Sequence, residues 1–208
     1  MVDYLNNTIQ IIMLVVCVIA AAGRALKYRS RSWTMLSFFY GCWVLGDIYW
    51  LVCMLFYGVS PQISVVADLS WYASYIFLYL LLSYMLPSGD VHNGSIIPWF
   101  GPVFAVGMAC FFMLWGEIIS NMIYAALMGL LLFSSARRLT EKQRKKQYRF
   151  LPAAVLTFCL LEYGLWTSSC IWSEEVLVNP YYIFDFLLTV SFPLFIPAVG
   201  KAVSHELH

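Results

Sequence analysis

The chain is expected to be an all-α membrane protein with seven transmembrane helices, and two observations carry that expectation. Of the 208 residues, 62% are hydrophobic and only 11% charged, with a mean hydropathy of +0.78. A soluble domain carries roughly 25% charged residues, so no water-soluble surface can be built around this chain. The second observation is where the cations lie. All twelve lysines and arginines fall in three places: Arg24, Lys27, Arg29 and Arg31; then Arg137, Arg138, Lys142, Arg144, Lys145, Lys146 and Arg149; and finally Lys201. Basic residues near helix ends stay on the cytoplasmic side of a membrane, so their placement reports orientation as well as class.

A helix needs about 20 apolar residues to cross the hydrocarbon core. Seven stretches qualify, at about 8–26, 33–57, 64–86, 96–115, 117–136, 150–172 and 181–201. Only Gly116 and Glu117 divide the fourth from the fifth. The basic segments follow spans one, five and seven. All three are odd, so all three clusters fall on one side if the count is seven. The N-terminus is then outside and the C-terminus cytoplasmic. Pro61 and Gln62, and Glu174 and Glu175, fall in outer loops on this reading. Trp33, Tyr57, Trp99, Trp115, Tyr148, Trp172, Tyr181 and Tyr182 sit where interfacial aromatic belts are expected. Pro193 and Pro197 predict a kink in span seven. The first apolar run has no basic segment before it and reads as a spanning helix rather than a cleaved signal.

The whole chain reads as one seven-helix domain, 1–208, in the cell (plasma) membrane. Its basic clusters are explained by topology, which leaves no case for nucleic-acid binding. Contact of the loop at 137–149 with anionic lipid headgroups or with a cytoplasmic partner is the other use of so many cations. Six cysteines (Cys17, Cys42, Cys53, Cys110, Cys159 and Cys170) lack metal-binding spacing and read as buried thiols. No cofactor and no metal site is expected.

The chemistry is concentrated in intramembrane acids. Asp47, Asp68, Glu162 and Asp185 fall inside predicted spans, with no lysine or arginine expected at their depth. A carboxylate in the bilayer is costly, and it is kept neutral, paired, or turned toward a polar cavity. Helical spacing gathers rings around each acid. Asp47 shares a face with Trp50 and Met54, and Asp68 with Trp71, Tyr72 and Tyr75. Glu162 pairs with Trp166 at i+4, and Tyr182, Asp185 and Thr189 line one face of span seven. Converging faces would build an aromatic-walled, acidic ligand pocket in the outer half of the bundle. The bland alternatives are that the rings only pack and that Asp68 caps the third helix, with Ser64 as a competing cap.

A faint internal repeat is also visible. Asp68 follows Asp47 by 21 residues and Asp185 follows Glu162 by 23, each first acid being trailed by a tryptophan. The pattern suggests two parallel three-helix units, spans 1–3 and 5–7, joined by an inverting fourth: a 3+1+3 arrangement.

The stretch Trp33, Gly41, Gly46-Asp47 and Trp50, continued by Tyr57-Gly58, Pro61, Ser64, Ala67-Asp68, Trp71-Tyr72 and Tyr75, resembles the multi-span N-terminal sensory domains of bacterial membrane diguanylate cyclases and histidine kinases. In those, a G-D-x-x-W span is joined by a short loop to an A-D-x-x-Y span. About 45 residues carry the likeness. It implies an input domain that detects a small molecule or lipid and signals through span seven to a cytoplasmic output domain or within a homodimer. The chain itself would then have no catalytic activity. No retinal-type lysine lies within span seven, since Lys201 is at its end. A glycine–aspartate pair in a helix is also similar to the lysoplasmalogenase family of small multi-span hydrolases.

Two other functions fit the same residues. A small-solute transporter with parallel three-helix repeats would use Asp47 and Glu162 as substrate or proton-coupling groups. An intramembrane hydrolase would need a base or nucleophile, yet His92, His205 and His208 are expected in loops or the tail.

Overall fold

The computed structural model describes residues 2–58, 65–86, 95–141, 146–172 and 179–203. Every regular element among them is helical, as expected where no water can hydrogen-bond an exposed backbone. The helices are α1 (Val2–Tyr28), α2 (Arg31–Tyr57), α3 (Val65–Met85), α4 (Phe100–Phe112), α5 (Ile118–Thr140), α6 (Phe150–Ile171), α7 (Pro180–Ser191) and α8 (Phe195–Val203). Pro61, Gln62, Ser64, His92, Lys142, Arg144, Lys145, Glu174, Glu175 and residues 204–208, all of them used in the sequence reading, lie outside the described residues.

Among the described residues, six helical stretches are long and apolar enough to cross a membrane: Tyr4–Tyr28, Arg31–Tyr57, Val65–Met85, Ile118–Thr140, Phe150–Ile171 and Pro180–Val203. A seventh apolar stretch, Ile97–Phe112, is shorter. It opens with a 3₁₀ turn at Ile97–Trp99 and ends three residues before the expected boundary at 115. Met113–Trp115 go into the turn that reverses the chain into α5, where Asn121 Nδ2 donates to the Phe112 carbonyl at 3.1 Å. The chain is a multi-pass helical membrane protein. The kink expected in the last span is a 3₁₀ turn, Phe192–Leu194, between α7 and α8. Pro193 sits inside it and cannot donate a backbone hydrogen bond.

The chain divides into two compact units, Met1–Leu78 and Tyr79–His208, with the boundary inside α3. In the first unit a turn at Arg29 and Ser30 sends α2 back along α1. Contacts at both ends show this: Arg24 lies 5.0 Å from the Trp33 ring, and the Tyr4 hydroxyl donates to the Met54 carbonyl at 3.0 Å. Gly58 ends α2 in the left-handed region at φ +70°, its N–H donating to the Met54 carbonyl, a conformation that glycine adopts without a Cβ penalty. α3 meets α2 through rings, with Phe38 stacked on Phe77 at 5.0 Å.

In the second unit small residues bring helices close, as is usual where lipid supplies no hydrophobic drive. A methyl group at Gly101 on α4 would lie 2.7 Å from Leu132 Cβ on α5, and one at Gly129 would lie 3.3 Å from Ala105 Cβ. Buried Phe158 on α6 packs against Phe192 and Phe195 at about 6 Å, which fixes the bent last span to α6. Asn179 caps α7, its side chain accepting from the Tyr181 N–H at 3.0 Å, and Pro180 occupies the first helical position.

Candidate functional site

The first unit holds one well-defined acid. Asp47, near the middle of α2, is 4% exposed. The indole Nε1–H of Trp71 on α3 donates to its Oδ1 at 3.2 Å. Gly46 explains how a ring that large reaches α2. A Cβ at that position would stand 2.6 Å from Trp71 Nε1 and 2.9 Å from Cδ1, so only glycine leaves room. The Gly-Asp pair is thus one device: the glycine admits the indole, and the aspartate accepts a hydrogen bond from its N–H.

Other rings surround that bond. Trp50 lies 5.9 Å from Trp71 and Trp43 lies 6.5 Å from it, both tilted, while Tyr75 meets Trp43 edge-on at 5.7 Å. Trp43 and Tyr75 are buried, whereas Trp50 and Trp71 remain half-buried, so part of this aromatic wall is accessible. Met54, expected on the Asp47 face, has its sulfur 3.9 Å from Asn7 Nδ2 on α1. Asp68 occupies the first turn of α3 and is half-buried, as is Tyr72.

Among its described residues the second unit holds two buried acids. Glu162 on α6 is 1% exposed and Asp185 on α7 is 4% exposed. Beside Glu162 in sequence, Tyr163 packs edge-on to Phe104 at 5.0 Å and to Tyr124 at 5.4 Å. The buried Tyr163 hydroxyl meets no hydrogen-bond partner among the described residues. Trp166, one turn beyond Glu162, stands edge-on to Tyr124 at 6.4 Å with an exposed outer side. Thr189 is buried, and its hydroxyl donates to the Asp185 backbone carbonyl at 2.9 Å rather than to the carboxyl. Tyr182 is half-buried and packs on Tyr181.

The structure therefore gathers Asp47, Trp50, Trp71 and Tyr75 in one unit, and sets Glu162, Trp166, Asp185 and Thr189 in the other. Two residues were missed by the sequence reading. Gly164 on α6 has the Phe184 ring of α7 pressed on it so closely that a Cβ would overlap the ring edge. Arg138, counted there as part of a cytoplasmic basic cluster, is 4% exposed on α5. Its Nε donates to the Leu86 carbonyl at 2.6 Å and its Nη1 to the Ser134 carbonyl at 2.9 Å. Leu86 follows α3 directly, so this cation engages a carbonyl at a helix end as well as one within its own helix. The signal available was that Arg138 lies one turn beyond Ser134 on a helix that outruns its apolar stretch.

No group of three or more His, Cys, Asp or Glu side chains among the described residues could hold a metal ion. An open groove of about 560 Å³ runs between α4 and α5, and no acid lines it. No family model matches the chain, and neither does any curated protein or solved structure.

Proposed function

We propose that this chain is a membrane-embedded sensory domain that binds a small molecule or lipid at its aromatic–acidic clusters and signals through its last span to a cytoplasmic output of the kinase or cyclase type. The observation that carries the reading is the Gly46–Asp47–Trp71 arrangement. A buried carboxyl is held in place by the half-buried Trp71 of the next helix, with one further half-buried tryptophan, Trp50, beside it. A carboxyl bordered by indole faces suits a ligand with a cationic amine, since cations bind over aromatic rings. Seven spans in the plasma membrane, with the N-terminus outside, remain the topology that puts all three basic segments on one side. Ile97–Phe112 would cross as the fourth, about 24 Å long at 1.5 Å per residue, through modest local thinning of the bilayer. The 3₁₀ turn at Phe192–Leu194 is where span seven would bend.

The purified full chain should be screened by thermal shift against primary and quaternary amines. A sensor of this kind is stabilised by at least one of them, and D47N or E162Q abolishes that shift. An identical shift in the wild type and both variants would remove these acids from the site. Uptake of the same amine into proteoliposomes would instead support a transporter, because a sensor moves no solute.

A further inference from the structure

We propose that the groove between α4 and α5 is a binding site for an anionic phospholipid, with one acyl chain along the groove and the phosphate on Arg137. The groove lies within the second unit and is lined by apolar side chains, among them Trp99, Val106, Cys110, Met122, Ala126 and Phe133. Val106, Cys110, Met122 and Ala126 are exposed, so the groove opens to the surroundings of the protein. From Met122 to Phe133 it runs about 17 Å along α5 at 1.5 Å per residue. That is close to half of the roughly 30 Å hydrocarbon core, which is the depth of a single leaflet. The groove exists because Gly101, Ala105 and Gly129 let the two helix backbones approach while larger side chains flare on either side.

Charge complementarity selects the occupant. An acyl chain gains no hydrophobic energy by leaving lipid for an equally apolar groove, so a preference has to come from the headgroup. Met122, Ala126, Leu130, Phe133 and Arg137 succeed one another at intervals of three and four and share a face of α5. Side chains on a helix lean toward its N-terminus, which carries Arg137 back over Phe133 and the end of the groove. Arg137 is half-buried, and no acidic side chain engages it among the described residues. A guanidinium matches a phosphate with two parallel hydrogen bonds, and Trp99 at the same end is an interfacial residue.

Native mass spectrometry of the full chain in mild detergent tests this, with phosphatidylglycerol and phosphatidylcholine as the probes. The wild type should retain phosphatidylglycerol preferentially. R137Q should lower that preference about fivefold, the equivalent of about 1 kcal/mol for one basic residue near a membrane surface. A126F, at an exposed position, should fill the groove and lose both lipids with unchanged thermal stability, and K27Q from the first basic cluster should leave the preference intact. Equal retention of both lipids, an unaltered ratio in R137Q, or an equal drop in K27Q would overturn the proposal. So would a dimer that A126F dissolves, because the face would then belong to a second copy of the chain. None of these outcomes bears on the amine response of Asp47 and Glu162, so the two readings fail separately.

Discussion

Asp47 on α2 and Glu162 on α6 look alike in sequence, each a buried acid trailed by a tryptophan within one turn, yet their surroundings differ in kind. Asp47 has a glycine immediately before it, and the ring that glycine admits is an indole with a proton to donate. Near Glu162 the glycine comes two residues later, at position 164, and the ring it admits is Phe184, which has no donor. The same packing trick supplies a hydrogen bond in one unit and only close contact in the other. For Asp47 the donor comes from the next helix and not from the tryptophan one turn along its own.

That contrast can be broken or sharpened by substitution, and the largest effect is expected at Gly164. G164A drives a methyl into the Phe184 ring and should cost about 3 kcal/mol, at the upper end of overpacking in a filled core. G46A should cost about 2 kcal/mol, and unlike G164A it should abolish the bond to Asp47 by pushing the indole away. Unfolding in denaturant, read by tryptophan fluorescence, measures both. If G46A were neutral, the indole could not be held where the glycine alone makes room.

W71F keeps the ring and deletes the donor, so it isolates the hydrogen bond. It should destabilise by roughly 1–2 kcal/mol through a buried acceptor that loses its donor. In a double-mutant cycle, W71F and D47A should couple by about 1 kcal/mol, because each change alone deletes one partner of the bond. Strict additivity would dissolve the pair. The smallest effect belongs to the second unit. Y163F removes a hydroxyl with no partner among the described residues, and its stability should stay within about 0.5 kcal/mol of the wild type. A loss above 1 kcal/mol would reveal a hydrogen bond there and narrow the difference between the units.

Six long apolar helices were legible in the sequence because the length of an apolar run is a direct requirement of the bilayer. The second was expected at 33–57 and is helical over Arg31–Tyr57, and the third was expected at 64–86 and is helical over Val65–Met85. Hydropathy could not show that Met113–Trp115 turn the chain, since apolar residues serve a tight reversal as readily as a helix end. The burial of Asp47, Glu162 and Asp185 was anticipated from the cost of a charge in hydrocarbon. The partner of Asp47 was not. Trp71 had been grouped with Asp68 by helical spacing within α3, whereas its indole N–H reaches across to α2, and periodicity along one helix cannot report on the next. Gly46 appeared in the sequence as part of a motif, but its reason appears only when the indole is seen against it. Arg138 was hidden among other cations, because a count of basic residues does not distinguish one that is buried from the rest.

The bond between α2 and α3 can be observed directly through the indole N–H resonance of Trp71, in the full chain labelled with ¹⁵N-tryptophan and assigned with W71F. The resonance should shift upfield in D47A and likewise in G46A, as an N–H that loses its carboxyl acceptor does. A Trp71 signal in D47A that coincides with the wild type would contradict an aspartate held by the ring of the neighbouring helix.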